Sequence, residues 1–210
     1  MANCVPAGAD TGSTNRPRLV IGAPCADLCD PEVTLRALRS GDAAALLHHI
    51  SRPEVLRHIA PAPTTVAGFK AFIRWTLAER RRGVHAAFGV VPVGAVRPVG
   101  MLQFWPVELD WSTSECCFVI GDEYWGTGLF ERGARLMLDF AFDTVGVRRM
   151  EARSAAANGR GNGALGKLGA TREGTLRGAF RRGAGVSDHV MWSILAEDWH
   201  SSRCRGGGQR

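Results

Sequence analysis

A glycine-containing segment between a strand-like run and a helix-like run has the residue types of an anion site. The segment Gly121 to Phe130 reads GDEYWGTGLF, with Gly126 and Gly128 where the chain must turn. Glycine allows the positive φ angles that aim successive N–H groups at one point, and a helix N-terminus adds unpaired donors and the positive end of its dipole. A tight turn without any ligand would use the same glycines, so the segment alone leaves both interpretations open.

Two common phosphate-binding motifs do not fit this segment. A dinucleotide-binding loop needs a three-glycine fingerprint inside a parallel βαβ unit and a later acidic residue, and a Walker loop needs a Gly-Lys-Ser/Thr ending. The sequence contains neither pattern here. An anion site in this segment would therefore be of a different kind.

Other groups of reactive side chains are explained by structure rather than by chemistry. Ser187, Asp188 and His189 are consecutive on a predicted strand, where side chains alternate between faces, so they cannot form a catalytic triad by themselves. His189 alone remains a candidate for a substrate pocket. His48 and His49 are neighbours on a predicted helix and point about 100° apart, so we expect no shared metal ion.

The six cysteines do not have the spacing of a disulfide framework or of a zinc site. Cys116 and Cys117 are adjacent on a predicted strand and point to opposite faces. Cys25 and Cys29 lack a second pair of ligands. We interpret the cysteines as small hydrophobic residues in a reducing compartment, and we expect no metal site.

The elements that position the glycine segment are predicted from hydrophobic periodicity. A strand is predicted from Glu32, and two helices follow it. The second helix, TTVAGFKAFIRWTLAERRR, has threonine caps and a C-terminal run of arginines. Strands starting near Ala86, Val99 and Ser114 have the spacing of an antiparallel meander. After the glycine segment we expect a helix from about Leu129 to Asp143, a strand, a short helix and two closing strands. This β-α-α-β-β-β-α-β-α-β-β order predicts an α+β fold with a mostly antiparallel sheet.

Length and composition predict one domain with loose ends. The chain has 210 residues, of which 45% are hydrophobic, enough for one well-buried core. We expect a flexible leader over residues 1–31, which do not resemble a secretory signal, a folded domain over 32–199 and a disordered tail over 200–210. No segment reaches the roughly 18 apolar residues of a membrane span, so we expect a soluble, cytoplasmic protein.

The charge balance favours anionic partners. The chain carries 26 Lys and Arg against 20 Asp and Glu, a net charge of +6, and a cofactor phosphate, RNA or DNA would each suit it. The arginine-rich stretches 80–82 and 177–182 make a nucleic-acid binder an alternative. No RNA- or DNA-binding motif accompanies them, and charge runs are usually solvated surfaces, so the sequence argues against that alternative.

Two motifs together resemble a known enzyme family. The run Glu115 to Phe130, ECCFVIGDEYWGTGLF, resembles the cofactor-binding motif of GNAT-superfamily N-acyltransferases, in particular the ribosomal-protein alanine N-acetyltransferase branch, where a strand beginning with Glu leads ten residues later into Trp-Gly-x-Gly. The later run NGRGNGALGKLGA resembles that branch's Asn-x-x-Ser followed by Lys-x-Gly-Phe. The resemblance covers roughly residues 33–199 and implies a GNAT-like mixed, mostly antiparallel sheet with helices on both faces.

The resemblance implies an acyl-CoA site. Backbone N–H groups of residues 125–130 would hold the CoA pyrophosphate, main-chain groups at the end of the preceding strand would pair with the pantetheine arm, and two residues of the later motif would contact pantetheine and phosphate. The implied cofactor-binding residues are Val119, Ile120, Trp125, Gly126, Thr127, Gly128, Leu129, Phe130, Asn158 and Arg160.

The implied reaction is transfer of an acetyl group from acetyl-CoA, or of another acyl group from a donor such as succinyl-CoA, to a primary amine by direct attack. Glu115 occupies the position of a carboxylate proposed in that branch to accept the amine proton; the alternative is a structural carboxylate paired with an arginine. Gly161 stands where the branch has serine, and Ala170 replaces an aromatic residue. No general acid is therefore identified, and an acyl-CoA sensor without turnover is the alternative to an enzyme.

The sequence leaves the acceptor open between a protein N-terminus, a lysine and a small molecule. We expect acceptor specificity to depend on the loop around Arg52 to Thr65 and on the closing hairpin, because loops set specificity in such folds. Homodimer formation is left open as well.

Overall fold

A computed structural model of the chain describes residue 21 and residues 27–59, 61–182 and 185–206. The strands in this part of the chain are β1 (Leu28–Cys29), β2 (Val33–Ala37), β3 (Ala86–Pro92), β4 (Gly100–Pro106), β5 (Thr113–Ile120), β6 (Arg149–Ala155), β7 (Thr171–Arg182) and β8 (Gly185–Leu195). The α-helices are α1 (Ala43–Ile50), α2 (Pro53–Leu56), α3 (Val66–Arg81), α4 (Leu129–Asp139), α5 (Gly159–Lys167) and α6 (Ala196–Gly206). In this part of the chain, no helix has both the length and the apolar character needed to cross a bilayer.

All eight strands form one sheet in the order β1-β2-β3-β4-β5-β6-β8-β7. Every neighbouring pair is antiparallel except β5 and β6, which are parallel. The predicted mixed, mostly antiparallel sheet is confirmed. The single parallel pair lies at its centre.

The parallel pair is short, and its end creates an opening in the sheet. β5 and β6 pair from Thr113 opposite Arg149 to Cys116 opposite Ala152, whereas β5 continues to pair with β4 as far as Ile120. Beyond Cys116 the two strands part. Residues 117–120 of β5 therefore have no strand partner on the β6 side within the described chain.

Helices cover both faces of the sheet, as the resemblance implied. On one face α1 and α3 pack against the alternate residues Ala87, Met101 and Val119. On the other face α4, α5 and α6 pack against a larger cluster that includes Leu102 and Phe104. Side chains in a strand alternate between faces, so each central strand contributes to both cores.

Helix α3 forms largely as its sequence predicts. Thr65 is the N-cap, and its side chain accepts a hydrogen bond from the Gly68 N–H at 3.0 Å. Phe69 and Ile73 are fully buried, and burying each contributes about 1.5–3 kcal/mol. The C-terminal arginines are not all solvated, because Arg80 is buried with its guanidinium 5.2 Å from the centre of the Phe88 ring.

The helix expected from Leu129 to Asp143 is divided in two. Regular α4 ends at Asp139, and residues Phe140–Val145 form a π-helical turn. Gly146 ends the turn with a φ of 87°, which glycine adopts without strain. The apolar residues of this turn are buried, so tertiary packing selects the wider turn.

The ends of the domain differ from their predicted boundaries. Residues 200–210 were expected to be disordered, but α6 continues to Gly206. Trp199 anchors this helix: its side chain is 2% exposed and its indole N–H donates to Asp139 Oδ1 at 2.8 Å. Of the predicted leader, residues 1–31, all but residue 21 and residues 27–31 lie outside the described chain; Leu28–Cys29 forms β1 rather than a flexible segment.

Candidate active site

A cleft of about 860 Å³ opens beside the end of β5. The end of β5, the glycine segment, the starts of α4 and α5, and the region of α2 line this cleft. Its lining residues include Glu54, Arg57, His58, Ile59, Phe118, Val119, Ile120, Tyr124, Trp125, Gly126, Gly128, Phe130, Asn158, Arg160, Gly161 and Lys167. The cleft thus brings together most of the residues that the resemblance assigned to acyl-CoA.

Main-chain hydrogen bonds show which residues of β5 face the opening. The Thr113 C=O accepts a hydrogen bond from the Val107 N–H at 2.8 Å, and the Gly121 N–H donates to the Val99 C=O at 2.9 Å. Both bonds join β5 or its extension to the β4 side. Because the β4–β5 register is uninterrupted, odd-numbered residues of β5 direct their main-chain groups to β4 and even-numbered residues direct theirs to the opening.

This alternation changes the predicted roles of individual residues. Phe118 and Ile120 present main-chain groups to the opening, whereas those of Val119 face β4; the strand-like pairing predicted for Val119 therefore falls to Phe118, which the sequence analysis missed. Val119 still lines the cleft. The Ile120 C=O accepts a hydrogen bond from the Trp125 indole N–H at 3.0 Å, which fixes the glycine segment against the strand.

The glycine segment has the backbone geometry that the anion-site interpretation requires. Gly126 and Gly128 have φ angles of 78° and 83°, and a Cβ at either position would meet no atom within 4 Å. Gly128 is the N-cap of α4. Thr127 Oγ1 donates to the Tyr124 C=O at 2.8 Å and stabilises the turn. The Leu129 N–H donates to Thr127 Oγ1 at 3.4 Å, and the start of α4, with the positive end of the helix dipole, lies at the cleft.

A second helix N-terminus meets the same cleft. Asn158 is the N-cap of α5, and its Oδ1 accepts a hydrogen bond from the Gly161 N–H at 2.9 Å. Arg160 lies with its guanidinium carbon 4.5 Å from the centre of the Trp125 ring, so this charge lies beside the glycine segment. Asn158 therefore holds the end of α5 in place, and Arg160 is positioned to contact an anion.

Gly161, which stands where the branch has serine, lies in a crowded position. A Cβ at this position would lie 2.5 Å from Asn158 Nδ2 and 2.9 Å from Ser154 Oγ. A side chain here would require the side chains of Asn158 and Ser154, or the start of α5, to shift. Tyr124, the one tyrosine in the sequence, instead lines the cleft. The residue that carries the one phenolic hydroxyl of the sequence therefore lies at the cleft, in the turn that precedes α4.

Glu115 lies one residue before β5 and β6 part. It is paired with Trp105 on β4 and Glu151 on β6. Its side chain is 16% exposed, and one carboxylate oxygen lies 3.5 Å from Arg153 Nε. Burial raises the pKa of Glu115, Arg153 opposes this effect, and Glu151 adds to it, so the pKa lies above the ordinary glutamate value. The predicted arginine partner is therefore present, and the carboxyl group retains the basicity that proton transfer needs.

Glu115 is separated from the glycine segment along β5. Its side chain lies on the α1 and α3 face with that of Val119, about 13 Å away at a rise of 3.3 Å per residue. A ligand that ran from the glycine segment along the open edge of β5 would end near Glu115. Phe130 supports this edge, because its ring centre lies 4.3 Å from that of Phe118.

Asp188 and His189, on the closing hairpin, make contacts that stabilise the hairpin. Asp188 Oδ1 accepts the Gly178 N–H at 2.8 Å and closes the β7–β8 hairpin. His189 stacks on Phe180 at 5.0 Å; burial and then Arg153 lower the pKa of His189. The consecutive residues Ser187, Asp188 and His189 thus do not form a triad. Trp105 and Trp111 are buried core residues.

Residues 32–171 match the acetyltransferase (GNAT) domain model. This match covers more than half of the 210-residue chain. The chain belongs to the GNAT acetyltransferase family. It is therefore a transferase of a family that uses acyl-CoA, and the cleft is its candidate active site. The implied GNAT fold is confirmed.

Individual relatives are distant but align over most of their length. The uncharacterized N-acetyltransferase p20 of Bacillus licheniformis is 23% identical over 168 residues, which cover 80% of this chain and 94% of that protein. The ribosomal-protein-S5-alanine acetyltransferase from Vibrio fischeri has a TM-score of 0.74 at 18% identity and covers 83% of this chain and 99% of its own. The microcin C7 self-immunity acetyltransferase MccE, in complex with acetyl-CoA and AMP, has a TM-score of 0.72 at 17% identity. The match covers 79% of this chain and 93% of the MccE chain. These two structural similarities establish the fold alone.

Proposed function

We propose that this GNAT protein transfers an acetyl group from acetyl-CoA to a primary amine by direct attack. The observation that carries the proposal is the parting of β5 and β6 beside the N-termini of two helices. A long anionic thioester needs strand-like amide partners for its arm and helix N-termini for its phosphates. The cleft offers both within one surface.

Each part of the site receives a separate binding role. The main-chain N–H groups of Gly126, Thr127, Gly128 and Phe130 hold the pyrophosphate, whereas those of Trp125 and Leu129 already donate to Asp122 C=O and Thr127 Oγ1. The main-chain groups of Phe118 and Ile120 pair with the pantetheine arm. Arg160 adds a positive charge near the phosphates, and Asn158 keeps the α5 N-terminus in place.

The chemistry requires that the amine lose a proton and that the thiolate leave. An acyl-CoA supplies a thioester whose carbonyl carbon forms the new C–N bond while the C–S bond breaks. Glu115 accepts the amine proton, directly or through water, and its raised pKa suits this role. A thiol has a pKa of about 8.5, so CoA is a tolerable leaving group and solvent can protonate it without a dedicated acid.

The acceptor enters from the side of α2 and the β7–β8 hairpin. Glu54, Arg57 and His58 line the cleft there, in the region that the sequence analysis assigned to specificity. We propose a protein N-terminus, a lysine or a small amine as the acceptor. The name of the Vibrio fischeri neighbour supports the first of these, and the acetyl-CoA in the MccE complex supports acetyl over succinyl as the transferred group.

Two assays on the full chain test this proposal. Thermal unfolding with acetyl-CoA at about 100 times its dissociation constant should raise the midpoint by roughly 5 to 10 °C, with succinyl-CoA as the comparison. Release of CoA thiol with a panel of amines then distinguishes turnover from binding alone. Absence of a shift with either acyl-CoA would refute the cofactor site. A shift without thiol release across a broad panel would favour a sensor.

A matched pair of glycine variants tests the phosphate-binding loop. Gly128→Glu places a negative charge against the pyrophosphate and should weaken acetyl-CoA binding by at least about tenfold, or 1.4 kcal/mol. Gly94→Glu is the control, because Gly94 has a similar φ of 80° with open space around its missing Cβ and lies outside the residues that line the cleft. Both variants carry the same backbone strain. Equal acetyl-CoA affinity in the two variants would remove the loop assignment.

A further inference from the structure

A group of three side chains joins the end of α1 to the turn before the glycine segment. His48, His49 and Glu123 each offer a ligand atom, and these atoms lie within 4.8 Å of one another. The His48 and His49 ring centres are 4.9 Å apart. On their helix alone the two histidines point apart, whereas the fold adds a carboxylate from 75 positions after His48 in the chain.

His49, the more buried of the two histidines, has a ring nitrogen available for a ligand. His49 Nδ1 is buried, has no hydrogen-bond partner and lies 4.0 Å from Glu123 Oε2. The His49 side chain packs against Gly121, where a Cβ would come within 3.1 Å of Nδ1, and against Tyr124, whose ring centre is 5.6 Å from that of His49. An unpartnered ring nitrogen of this kind is available to bind a metal ion.

Arg52 orients the carboxylate without occupying all of it. Its Nη1 lies 2.9 Å from Glu123 Oε1, and its Nε lies 2.6 Å from Asp122 Oδ1. Glu123 Oε2 remains directed at His49. Two carboxylates against one guanidinium leave one net negative charge beside the histidines, which favours a cation. A hydrogen bond from a neighbouring side chain to a ligating carboxylate is a usual feature of metal sites.

We propose that His48, His49 and Glu123 bind Zn²⁺ and thereby tie α1 to the turn that leads into the glycine segment. Two imidazoles and one carboxylate are ligands that zinc prefers, with water in the fourth position. Zinc–ligand bonds of about 2.0–2.2 Å place tetrahedral ligand atoms roughly 3.3–3.5 Å apart. His48 and Glu123 are exposed, so their side chains can rotate inward by about 1 Å while His49 stays in its packed position.

The test is titration of ZnCl₂ into chelator-treated, tag-free protein without any acyl-CoA. Calorimetry should show one equivalent of zinc bound per chain. His48→Ala and Glu123→Gln should each weaken this binding on the order of 100-fold. His200→Ala is the matched control, because His200 is an exposed histidine next to a different carboxylate, with Nε2 2.7 Å from Asp143 Oδ1; it should retain the affinity of the unsubstituted protein.

The variants also separate this site from other zinc ligands in the chain. His48 and Glu123 are exposed, so both variants should keep the circular-dichroism spectrum and the unfolding midpoint of the metal-free protein. Zinc binding that persists unchanged in His48→Ala and Glu123→Gln would place the metal elsewhere and overturn the proposal, as would no binding in the unsubstituted protein. Neither result depends on acyl-CoA binding.

Discussion

Glu115 combines two properties that an amine-transfer base needs at the scale of a single residue. It lies where β5 and β6 part, and its carboxyl group is largely shielded from water. Burial raises its pKa, and Arg153 keeps the ionised form accessible. A base whose pKa lies closer to neutral pH accepts a proton more readily from an amine than an ordinary glutamate does.

Glu115→Gln should abolish most turnover while sparing cofactor binding. We expect kcat to fall by about 10²–10⁴-fold, the usual contribution of a general base, with the acetyl-CoA-induced rise in unfolding midpoint unchanged. The variant should remain folded, since the raised pKa means that the fold disfavours the ionised carboxylate that glutamine replaces. Thiol release and thermal unfolding measure the two quantities separately. Full activity in this variant would leave Glu115 a structural role only.

Glu151→Gln is the matched control for Glu115→Gln, and we expect a different effect from it. Glu151 pairs across the sheet with Glu115 and contributes to raising the pKa of Glu115. Without the Glu151 charge, the pKa of Glu115 should fall. The acidic limb of the kcat/KM–pH profile should therefore move to lower pH while activity at neutral pH is retained. An unmoved acidic limb would mean that this limb belongs to another group.

Helix α5 shows how an element limits which residues can line the site. Gly161 lies where the helix packs closely on β6, while Gly163, two positions later, has open space around its missing Cβ. The same substitution should therefore have opposite effects at the two positions.

Gly161→Ala should destabilise the protein and Gly163→Ala should stabilise it. At Gly163 alanine gains helix propensity, about 0.5–1 kcal/mol. At Gly161 the new methyl group meets Asn158 Nδ2 and Ser154 Oγ, and overpacking of this kind costs about 1–3 kcal/mol. Urea unfolding of both variants measures the difference. A stabilised Gly161→Ala would show that α5 is not held against β6 as closely as the structure indicates.

The elements that the sequence predicts well are those in which apolar residues recur at regular spacing over many residues. α3 and β3 to β5 appear within a residue or two of their expected bounds, because each has a clear apolar face and a cap or turn at its ends. α6 was missed because its one deeply buried apolar residue is Trp199, which gives no period. α2 has four residues, too few for a period.

Within the site, backbone requirements could be predicted and side-chain partners could not. Gly126 and Gly128 are recognisable because their positive φ depends on residue type. The choice of Phe118 over Val119 depends on which edge of β5 is free, which only the sheet order determines. The approach of Glu123 to His49 likewise depends on long-range packing.

At the scale of the whole molecule, one buried histidine makes the stability depend on pH. His85 is fully buried between Trp75 and Trp105, with ring centres 5.0 and 6.0 Å away. Burial, aided by the charge of Arg80, lowers the pKa of His85 from 6.5 to about 4. The folded protein therefore keeps His85 neutral at pH values at which the unfolded chain protonates it.

The pH window follows from these two pKa values. Above about pH 6.5 both states are neutral at His85, so its contribution to stability is complete. As the pH falls from 6.5 to 4 the unfolded chain takes up the proton first, and the free energy of unfolding decreases by about 3 kcal/mol. Below pH 4 the folded state is protonated as well, and this contribution falls no further.

His85→Phe should remove this component of the acid sensitivity. Phenylalanine keeps an aromatic ring between the two tryptophans but does not titrate, so the free energy of unfolding in urea should decrease less between pH 7 and 4 in the variant, by about 3 kcal/mol. Asp42 and Glu173 have lowered pKa values and also contribute to acid sensitivity, but the variant and the unsubstituted protein both contain them, so their contributions cancel between the two pH profiles. Parallel pH profiles for the two proteins would show that His85 titrates as it does in the unfolded chain. The packing between Trp75 and Trp105 would then have to admit water.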